Sequence, residues 1–257
     1  MSSVPAESGI ATGRPAGGGW RAASGHADHA TDRQLALFPY VPYPLPATRH
    51  PLDVHAISIP AAAFTGDFYF VHRAAERLWF ALGDVAGKGL SAAVVMAMIQ
   101  EELERTTCDD PAANMMRLHT FLRPLIPRNR FATAVIGYIG DDGTLKIANA
   151  GHCPPLIVRS GGGIERIDST GPVIGVLSSS QWCTFETTLR RGEALVLYSD
   201  GVLEARSPDG EEFGVARIES NAGGTSARQI AENILAAVNH HSGGVRDDDL
   251  TLLAIRR

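Results

Sequence analysis

Four aspartates carry the clearest chemical signal in this sequence, because each lies at the end of a predicted β-strand. Asp67 and Asp84 adjoin two aromatic and branched runs, and Asp200 and Asp248 adjoin two further apolar runs. Such runs fit a pleated, half-buried surface. Carboxylate oxygens are the ligands that hard divalent cations prefer in proteins. A cluster of these four groups at one edge of a domain predicts metal-assisted chemistry on an anionic substrate.

A predicted β-hairpin brings the first two aspartates together. The runs 67–71 and 78–82 flank a short polar link at Ala75-Glu76, which is a hairpin pattern. Asp67 and Asp84 lie equally far from that link, so they should face each other at the open end of the hairpin. Two bare carboxylates in that position destabilise a sheet, and a cation between them removes the repulsion.

The second pair of aspartates follows from a second pair of strands. The run 193–199 leads directly into Asp200-Gly201, and the run 250–255 begins just after Asp248-Asp249. In an antiparallel pair the end of one strand lies beside the start of its neighbour, so Asp200 and Asp248 should share an edge. If the two pairs stack as a sandwich, all four carboxylates meet. The pairing and the stacking are assumptions at this point.

Composition and charge narrow the class of protein. The chain has 257 residues, of which 44% are hydrophobic, enough for one large domain. A net charge of -5 without a Lys/Arg-rich run argues against a nucleic-acid partner. No run is long enough to cross a membrane, and the N-terminus lacks a signal-peptide pattern. The widely spaced Cys108, Cys153 and Cys183 suit a reduced cytoplasm, where we expect the protein to act.

The chain divides into three parts and predicts an α+β fold. Residues 1–33 read as a flexible tail, residues 34–50 as a lead-in that interleaves Pro with Leu, Phe and Tyr, and residues 51–257 as the folded domain. A first helix is predicted at 91–105; its stretch from Leu90 to Ile99 is apolar on every side, so this helix should be buried. Two further helices are predicted, one after the cap Asp110-Pro111 and one at 226–240. Asp142-Gly143 predicts a hairpin turn.

The glycine-rich stretch Gly83-Asp84-Val85-Ala86-Gly87-Lys88-Gly89 is the densest local motif. It lies between a predicted strand and a predicted helix, where backbone amides favour anions. A phosphate-binding P-loop needs four residues between its first Gly and the Gly-Lys pair, then Ser or Thr. Only three residues separate Gly83 from Gly87, and Gly89 follows the lysine. The spacing therefore excludes a P-loop.

Five motifs in order resemble a known family. They are Thr65-Gly66-Asp67-Phe68-Tyr69, the 83–89 stretch, Asn149-Ala150-Gly151-His152-Cys153-Pro154-Pro155, Tyr198-Ser199-Asp200-Gly201 and Asp248-Asp249-Leu250-Thr251. Over roughly residues 50–257 the chain resembles the SpoIIE-type bacterial branch of the metal-dependent (PPM, type 2C-like) serine/threonine protein phosphatases. The resemblance implies a central antiparallel β-sandwich flanked by helices, in α-β-β-α layers, and two Mn²⁺ or Mg²⁺ ions.

The resemblance also implies an activity and a set of partners. The expected reaction is hydrolysis of phosphoserine or phosphothreonine on a bacterial signalling protein, commonly a STAS-type anti-sigma factor antagonist. A metal-bound hydroxide would attack phosphorus in line. Since the chain has little room for a sensor domain before the match, we expect control by a separate regulatory partner, by the 34–50 lead-in or by metal occupancy.

Site residues follow from the resemblance position by position. Asp84 would bridge both metals, the Val85 carbonyl would add one ligand, and Asp67, Asp200 and Asp248 would complete the set. Asp84 and Asp200 are the catalytic candidates. Four carboxylates balance the charge of two divalent ions, which agrees with this assignment.

Two positions depart from the family pattern and leave alternatives open. Thr65 replaces a usual glycine and Phe70 replaces a frequent acidic residue, so a weakly active or non-catalytic partner-binding domain is one alternative. Hydrolysis of a small phosphate ester is another, and an enclosed pocket would favour it. Asp249 is either a carboxylate that supports the ligands or a surface residue. His152 reads as a structural residue in its loop, with a role as general acid as the alternative.

Overall fold

A computed structural model describes residues 52–61, 64–87, 89–105, 109–127 and 130–257. The expected tail 1–33 and lead-in 34–50 lie outside the described residues, as do Lys88 and Cys108. The described strands form two antiparallel sheets. The first contains, in order, β1 (Asp53–Ile59), β10 (Leu250–Arg256), β9 (Ala194–Tyr198), β6 (Leu156–Val158) and β7 (Ile164–Arg166). The second contains β2 (Asp67–Ala74), β3 (Arg77–Val85), β4 (Ala132–Gly140), β5 (Thr144–Ala150) and β8 (Phe185–Thr188).

Helices cover the outer face of each sheet. α1 (Leu90–Arg105) and α2 (Pro111–Leu122) pack on the second sheet. The short α3 (Asp200–Leu203) follows β9, and α5 (Ala227–Ser242) packs on the first sheet with α4 (Gly214–Asn221) beside it. Within the described ranges, none of these helices has the length and apolar character needed to cross a membrane.

Three layers of apolar side chains separate the four layers of secondary structure. Phe80 and Leu253 belong to the core between the sheets, where Leu78, Val135, Leu195 and Ile255 are also buried. Phe68 and Met115 lie in the core under α1 and α2, and Tyr198 and Ile234 lie in the core under α5. The expected α+β fold with α-β-β-α layers is confirmed.

Local signals set the ends of two helices as predicted. The Asp110 side chain accepts a hydrogen bond from the Ala112 amide, with Pro111 as the first helical residue. The Ser226 hydroxyl accepts one from the Gln229 amide at 3.1 Å, and Gly243 ends α5 in the left-handed region at φ 62°. These contacts satisfy amides and carbonyls that a helix end leaves unpaired.

The prediction that the first helix is buried on every side is wrong. Leu90 is 58% exposed and Val94 is 45% exposed, whereas Ala92, Met96 and Ile99 face the sheet and are buried. The second sheet covers only one side of α1, and the described residues place nothing over the other. An apolar sequence therefore predicted the helix correctly and its environment incorrectly.

Candidate metal centre

The β2–β3 hairpin places two carboxylates directly opposite each other. Asp67 is the first residue of β2 and pairs with Asp84 of β3, while Ala74 pairs with Arg77 across the two-residue turn. The predicted register is confirmed. Asp84 also pairs with Thr133 at the start of β4, so its strand is held from both sides.

The second pair of carboxylates comes from the other sheet. Asp200 is the first residue of α3, immediately after β9, and its Oδ1 accepts a hydrogen bond from the Gly201 amide at 2.9 Å. Asp248 precedes β10, and its Oδ1 accepts one from the Asp249 amide at 3.0 Å. β9 and β10 are antiparallel neighbours, as predicted, so both aspartates lie at the same end of the first sheet.

Two glycines allow the backbones around these carboxylates to approach closely. A Cβ on Gly201 would lie 2.0 Å from the Asp249 carbonyl oxygen. A Cβ on Gly66 would lie 2.6 Å from Asp84 Oδ1 and 2.8 Å from the Val85 carbonyl oxygen. Real side chains do not tolerate such distances, so only glycine fits either position. The turns that carry Asp67 and Asp200 are therefore packed directly against the segments that carry the other two aspartates.

Burial and mutual repulsion raise the pKa of the central carboxyls. Burial raises the pKa of Asp67 well above its usual range, with Asp84 adding to the shift and the nearby Thr251 and Ser199 hydroxyls offsetting part of it. Burial, together with the charges of Asp200 and Asp248, raises the pKa of Asp84 to about 7. Electrostatic repulsion therefore acts between the carboxylates of the two sheets.

The four aspartates lie at one end of the two sheets, which we call the carboxylate edge. The donor chemistry of the carboxylate edge fits divalent cations. Every candidate ligand is an oxygen atom, which suits Mg²⁺ and Mn²⁺. The Oδ2 atom of Asp67 is buried without a hydrogen-bond partner, so a cation would satisfy an atom that the protein leaves unpaired. Among the described residues, however, no group of three or more His, Cys, Asp or Glu side chains is arranged to hold an ion. Carboxylates without counter-ions repel one another, so ligation requires their side chains to converge further.

Asp249 connects two loops of the site through its side chain. Its Oδ1 accepts a hydrogen bond from the Ala61 amide at 2.8 Å, and its Oδ2 accepts one from the Gly66 amide at 3.2 Å. Both carboxylate oxygens are therefore engaged by backbone amides just before β2. Of the two alternatives, the structure favours a carboxylate that supports the candidate ligands.

Neither departure from the family pattern disturbs the edge. The Thr65 hydroxyl is buried and accepts a hydrogen bond from the Asp67 amide at 2.9 Å, so it orients the turn that carries this aspartate. Phe70 is 5% exposed and belongs to the core under α1 and α2. An acidic residue at that position would point into apolar packing and away from the carboxylates.

His152 is a buried residue of the frame around the site. Its Nδ1 lies 2.8 Å from the Thr133 hydroxyl, its amide donates to Asn149 Oδ1, and its Nε2 is buried without a partner. Burial lowers the pKa of His152 to about 4. A ring that is neutral and enclosed at physiological pH has no proton ready for a leaving group, so the structural interpretation is favoured.

Sequence reasoning missed three polar residues near the carboxylates. Burial and the Asp200 charge raise the pKa of Glu204, which follows Asp200 by one helical turn; that spacing was the available signal. The Ser199 hydroxyl accepts from the Thr251 amide at 2.9 Å and donates to the Asp249 carbonyl at 3.2 Å. The roles of Ser199 and Thr251 become visible only from the pairing of β9 with β10.

Known proteins are similar to this chain in sequence. IcfG of Synechocystis is 29% identical over 252 residues, and the phosphoserine phosphatase RsbU of Bacillus subtilis is 28% identical over 212 residues; the matches cover 85% and 80% of this chain. The chain spans 40% and 63% of the lengths of these two relatives.

Solved structures give the same result for the fold. The SiaA-PP2C domain of Pseudomonas aeruginosa superposes with a TM-score of 0.74 at 22% identity, over 89% of this chain and 94% of that one. RsbX in complex with magnesium superposes with a TM-score of 0.63 at 19% identity, over 79% and 94% of the two chains. Both comparisons show the PP2C-type fold.

A family model matches the greater part of the chain. The match to stage II sporulation protein E covers residues 74–257, which include Asp84, Asp200 and Asp248, whereas Asp67 precedes the matched range. Because this match covers more than half of the chain, the chain belongs to the stage II sporulation protein E (SpoIIE) family.

Proposed function

We propose that this chain hydrolyses phosphoserine or phosphothreonine on a bacterial signalling protein, with two Mg²⁺ or Mn²⁺ ions as cofactors. The observation that carries the proposal is the carboxylate edge, where Asp67 pairs with Asp84 across a hairpin and where Asp200 and Asp248 lie at the same end of two neighbouring strands. Its relative RsbU is a phosphoserine phosphatase, and RsbX of the same fold binds magnesium. Both facts support the same chemistry here.

The residues that would hold the cations are the four aspartates and one carbonyl. Asp84 has the central position, with the Val85 carbonyl beside it and Asp67, Asp200 and Asp248 around it. Bound cations would supply the positive charge that attracts a phosphate, activates water and stabilises the oxygens of an in-line displacement.

The chain's own contribution is to position these groups. Asp249 ties the loop before β2 to the start of β10 through the Ala61 and Gly66 amides. Ser199 ties the end of β9 to the same segment through the Thr251 amide and the Asp249 carbonyl. These bonds hold the backbone segments that carry the aspartates of the two sheets in one frame before a substrate arrives.

A protein substrate is favoured over a small phosphate ester. The cavity beside Asp200 and Asp248 has a volume of about 100 Å³, whereas small-molecule sites usually enclose several hundred Å³. The carboxylate edge therefore offers little room for a free metabolite. A phosphorylated side chain on a protein surface would reach it without such a pocket. We propose a STAS-type regulatory protein as the substrate and a separate protein as regulator.

The non-catalytic alternative has lost its main support. It rested on Thr65 and Phe70, and the structure accommodates the first as a hydrogen-bond acceptor for the Asp67 amide and the second as a core residue.

Since Cys153 and Cys183 are unpaired, a reducing compartment such as the cytoplasm suits the protein.

Hydrolysis of p-nitrophenyl phosphate tests the proposed function. The purified chain is assayed with Mn²⁺, with Mg²⁺ and with chelator, beside Asp84→Asn and the control Asp209→Asn, an exposed turn residue. We expect metal-dependent turnover in the wild type and the control, and at least a hundredfold loss in Asp84→Asn, as for removal of a key electrostatic group. Turnover that persists in chelator, or in Asp84→Asn, would contradict the proposal.

A further inference from the structure

A groove runs along the exposed side of α2. One wall carries Met116, Thr120 and Arg123, and the other is the loop 175–181; the volume between them is about 900 Å³. Val176 and Leu177 of the loop are 48% and 49% exposed. Exposed apolar side chains grouped in a concave surface are typical of interaction sites. We call this surface the α2 groove.

The shape of the α2 groove is fixed by contacts beneath it. The Gly175 amide donates to His119 Nδ1 at 3.1 Å, and the His119 ring packs on Trp182 with centroids 5.4 Å apart. Gly175 has φ 96°, and a Cβ there would lie 2.4 Å from Ile126 Cδ1. The loop is therefore held against α2, and the groove exists before any partner binds.

The lining of the α2 groove contains one arginine, Arg123, and no carboxylate. No Asp or Glu occurs in the 111–140 segment, which contains four arginines, and none occurs in 169–185. Arg117 and Arg123 are exposed, and neither forms an ion pair among the described residues. In a chain of net charge -5, this local surplus of positive charge is complementary to an anionic segment.

The loop wall of the α2 groove is connected by backbone pairing to the strand that carries Asp84. Ile174, next to the groove wall, exchanges backbone hydrogen bonds with Ala132, the first residue of β4. Ala132 pairs with Val85, the residue after Asp84. The loop wall of the groove is thus two backbone pairings away from the segment that carries Asp84.

We propose that the α2 groove docks an acidic segment of the phosphoprotein substrate, with an apolar side chain against Val176 and Leu177 and carboxylates near Arg123. The proposal rests on the proposed function and adds a specificity-determining surface to it. The chain's own residues 34–50 contain no Asp or Glu, so they lack the charge that this surface selects.

Two matched phosphopeptides test the docking surface. Both carry phosphoserine and leucine, one with flanking Asp and Glu and the other with flanking Lys. Their kcat/KM values are measured in Mn²⁺ with p-nitrophenyl phosphate as reference. The variants are Arg123→Glu, Arg123→Lys and Leu177→Asp, all at exposed positions. The control is Arg190→Glu, exposed near the far end of β9 from Asp200.

We expect Arg123→Glu to lower kcat/KM for the acidic peptide about tenfold, through KM, with aryl phosphate unchanged. Arg123→Lys should retain the preference for the acidic peptide, Leu177→Asp should weaken it, and Arg190→Glu should leave it as in the wild type. An unchanged preference in Arg123→Glu and Leu177→Asp would overturn the proposal and leave the groove to residues 34–50 or to a second copy of the chain. An equal loss on aryl phosphate would also overturn it, by placing Arg123 in the reaction itself.

Fluorescence anisotropy with the unphosphorylated acidic peptide separates this proposal from the proposed function. Binding that Arg123→Glu weakens and Arg190→Glu does not would support the docking surface even if no ester is hydrolysed. Absence of binding to the wild type, together with active hydrolysis of aryl phosphate, would contradict the proposed docking surface and support the proposed phosphatase activity.

Discussion

Replacing Asp84 by Asn should stabilise the protein when no divalent cation is present. The Asp84 carboxyl is largely buried and close to Asp200 and Asp248, and these surroundings raise its pKa from 3.8 to about 7. A raised pKa means that the folded state disfavours the ionised form. The amide of Asn has a similar shape and no charge, so it removes the repulsion.

The expected magnitude follows from the size of the shift. Each pKa unit corresponds to 1.36 kcal/mol, so a shift of about three units gives an upper value of about 4 kcal/mol, and side-chain relaxation reduces it to about 2–4 kcal/mol. The cost of ionisation is absent below the unfolded pKa of 3.8 and complete above the folded pKa of about 7. Asp84→Asn should therefore gain most at pH 8 and progressively less toward pH 4.

Urea denaturation in chelator, at pH 8 and pH 5, measures this difference directly. Adding Mn²⁺ or Mg²⁺ at pH 8 should reverse the order, because ions that bind only the folded state stabilise the wild type by mass action. Asp209→Asn, at an exposed turn, should match the wild type throughout. A metal-free Asp84→Asn protein that is less stable than the wild type at pH 8 would refute the electrostatic reasoning.

Three further outcomes are expected. Gly201→Ala should lose at least about 2 kcal/mol and most of its activity, because its Cβ would meet the Asp249 carbonyl at 2.0 Å; Gly223→Ala, with open space around it, is the control in urea denaturation. Asp249→Ala should leave the Ala61 and Gly66 amides without their acceptor, lowering stability by about 1–3 kcal/mol and weakening Mn²⁺ binding by calorimetry; unchanged Mn²⁺ affinity would contradict its supporting role. Because burial lowers the pKa of His152 to about 4, the unfolded chain takes up this proton first, so stability should fall by about 1.36 kcal/mol per unit as pH drops from 6.5 to 4. His152→Gln should lack that part of the pH dependence, and an identical pH profile for both proteins would show that His152 does not titrate as described.

Much of the candidate site was readable from local sequence. A two-residue turn determines the register of its hairpin, so the position of Ala75-Glu76 sufficed to pair Asp67 with Asp84. Helix ends were readable for the same reason, since Asp110 and Ser226 bond amides only two or three residues away. The five ordered motifs also indicated the family.

Other features depend on partners far away in the chain, which only the tertiary structure could supply. β1 pairs with β10 across almost the whole domain, and it was not predicted because nothing local marks such a partner. The exposure of Leu90 and Val94 depends on how much of α1 the sheet covers. Asp249 gained its role only when folding brought the Gly66 amide, 183 positions earlier in the chain, to its carboxylate. Local turns and helix caps depend on contacts between residues a few positions apart, so the sequence by itself determines them. Sheet order, burial and the proximity of carboxylates from two sheets depend on how the layers pack, so only the tertiary structure determines them.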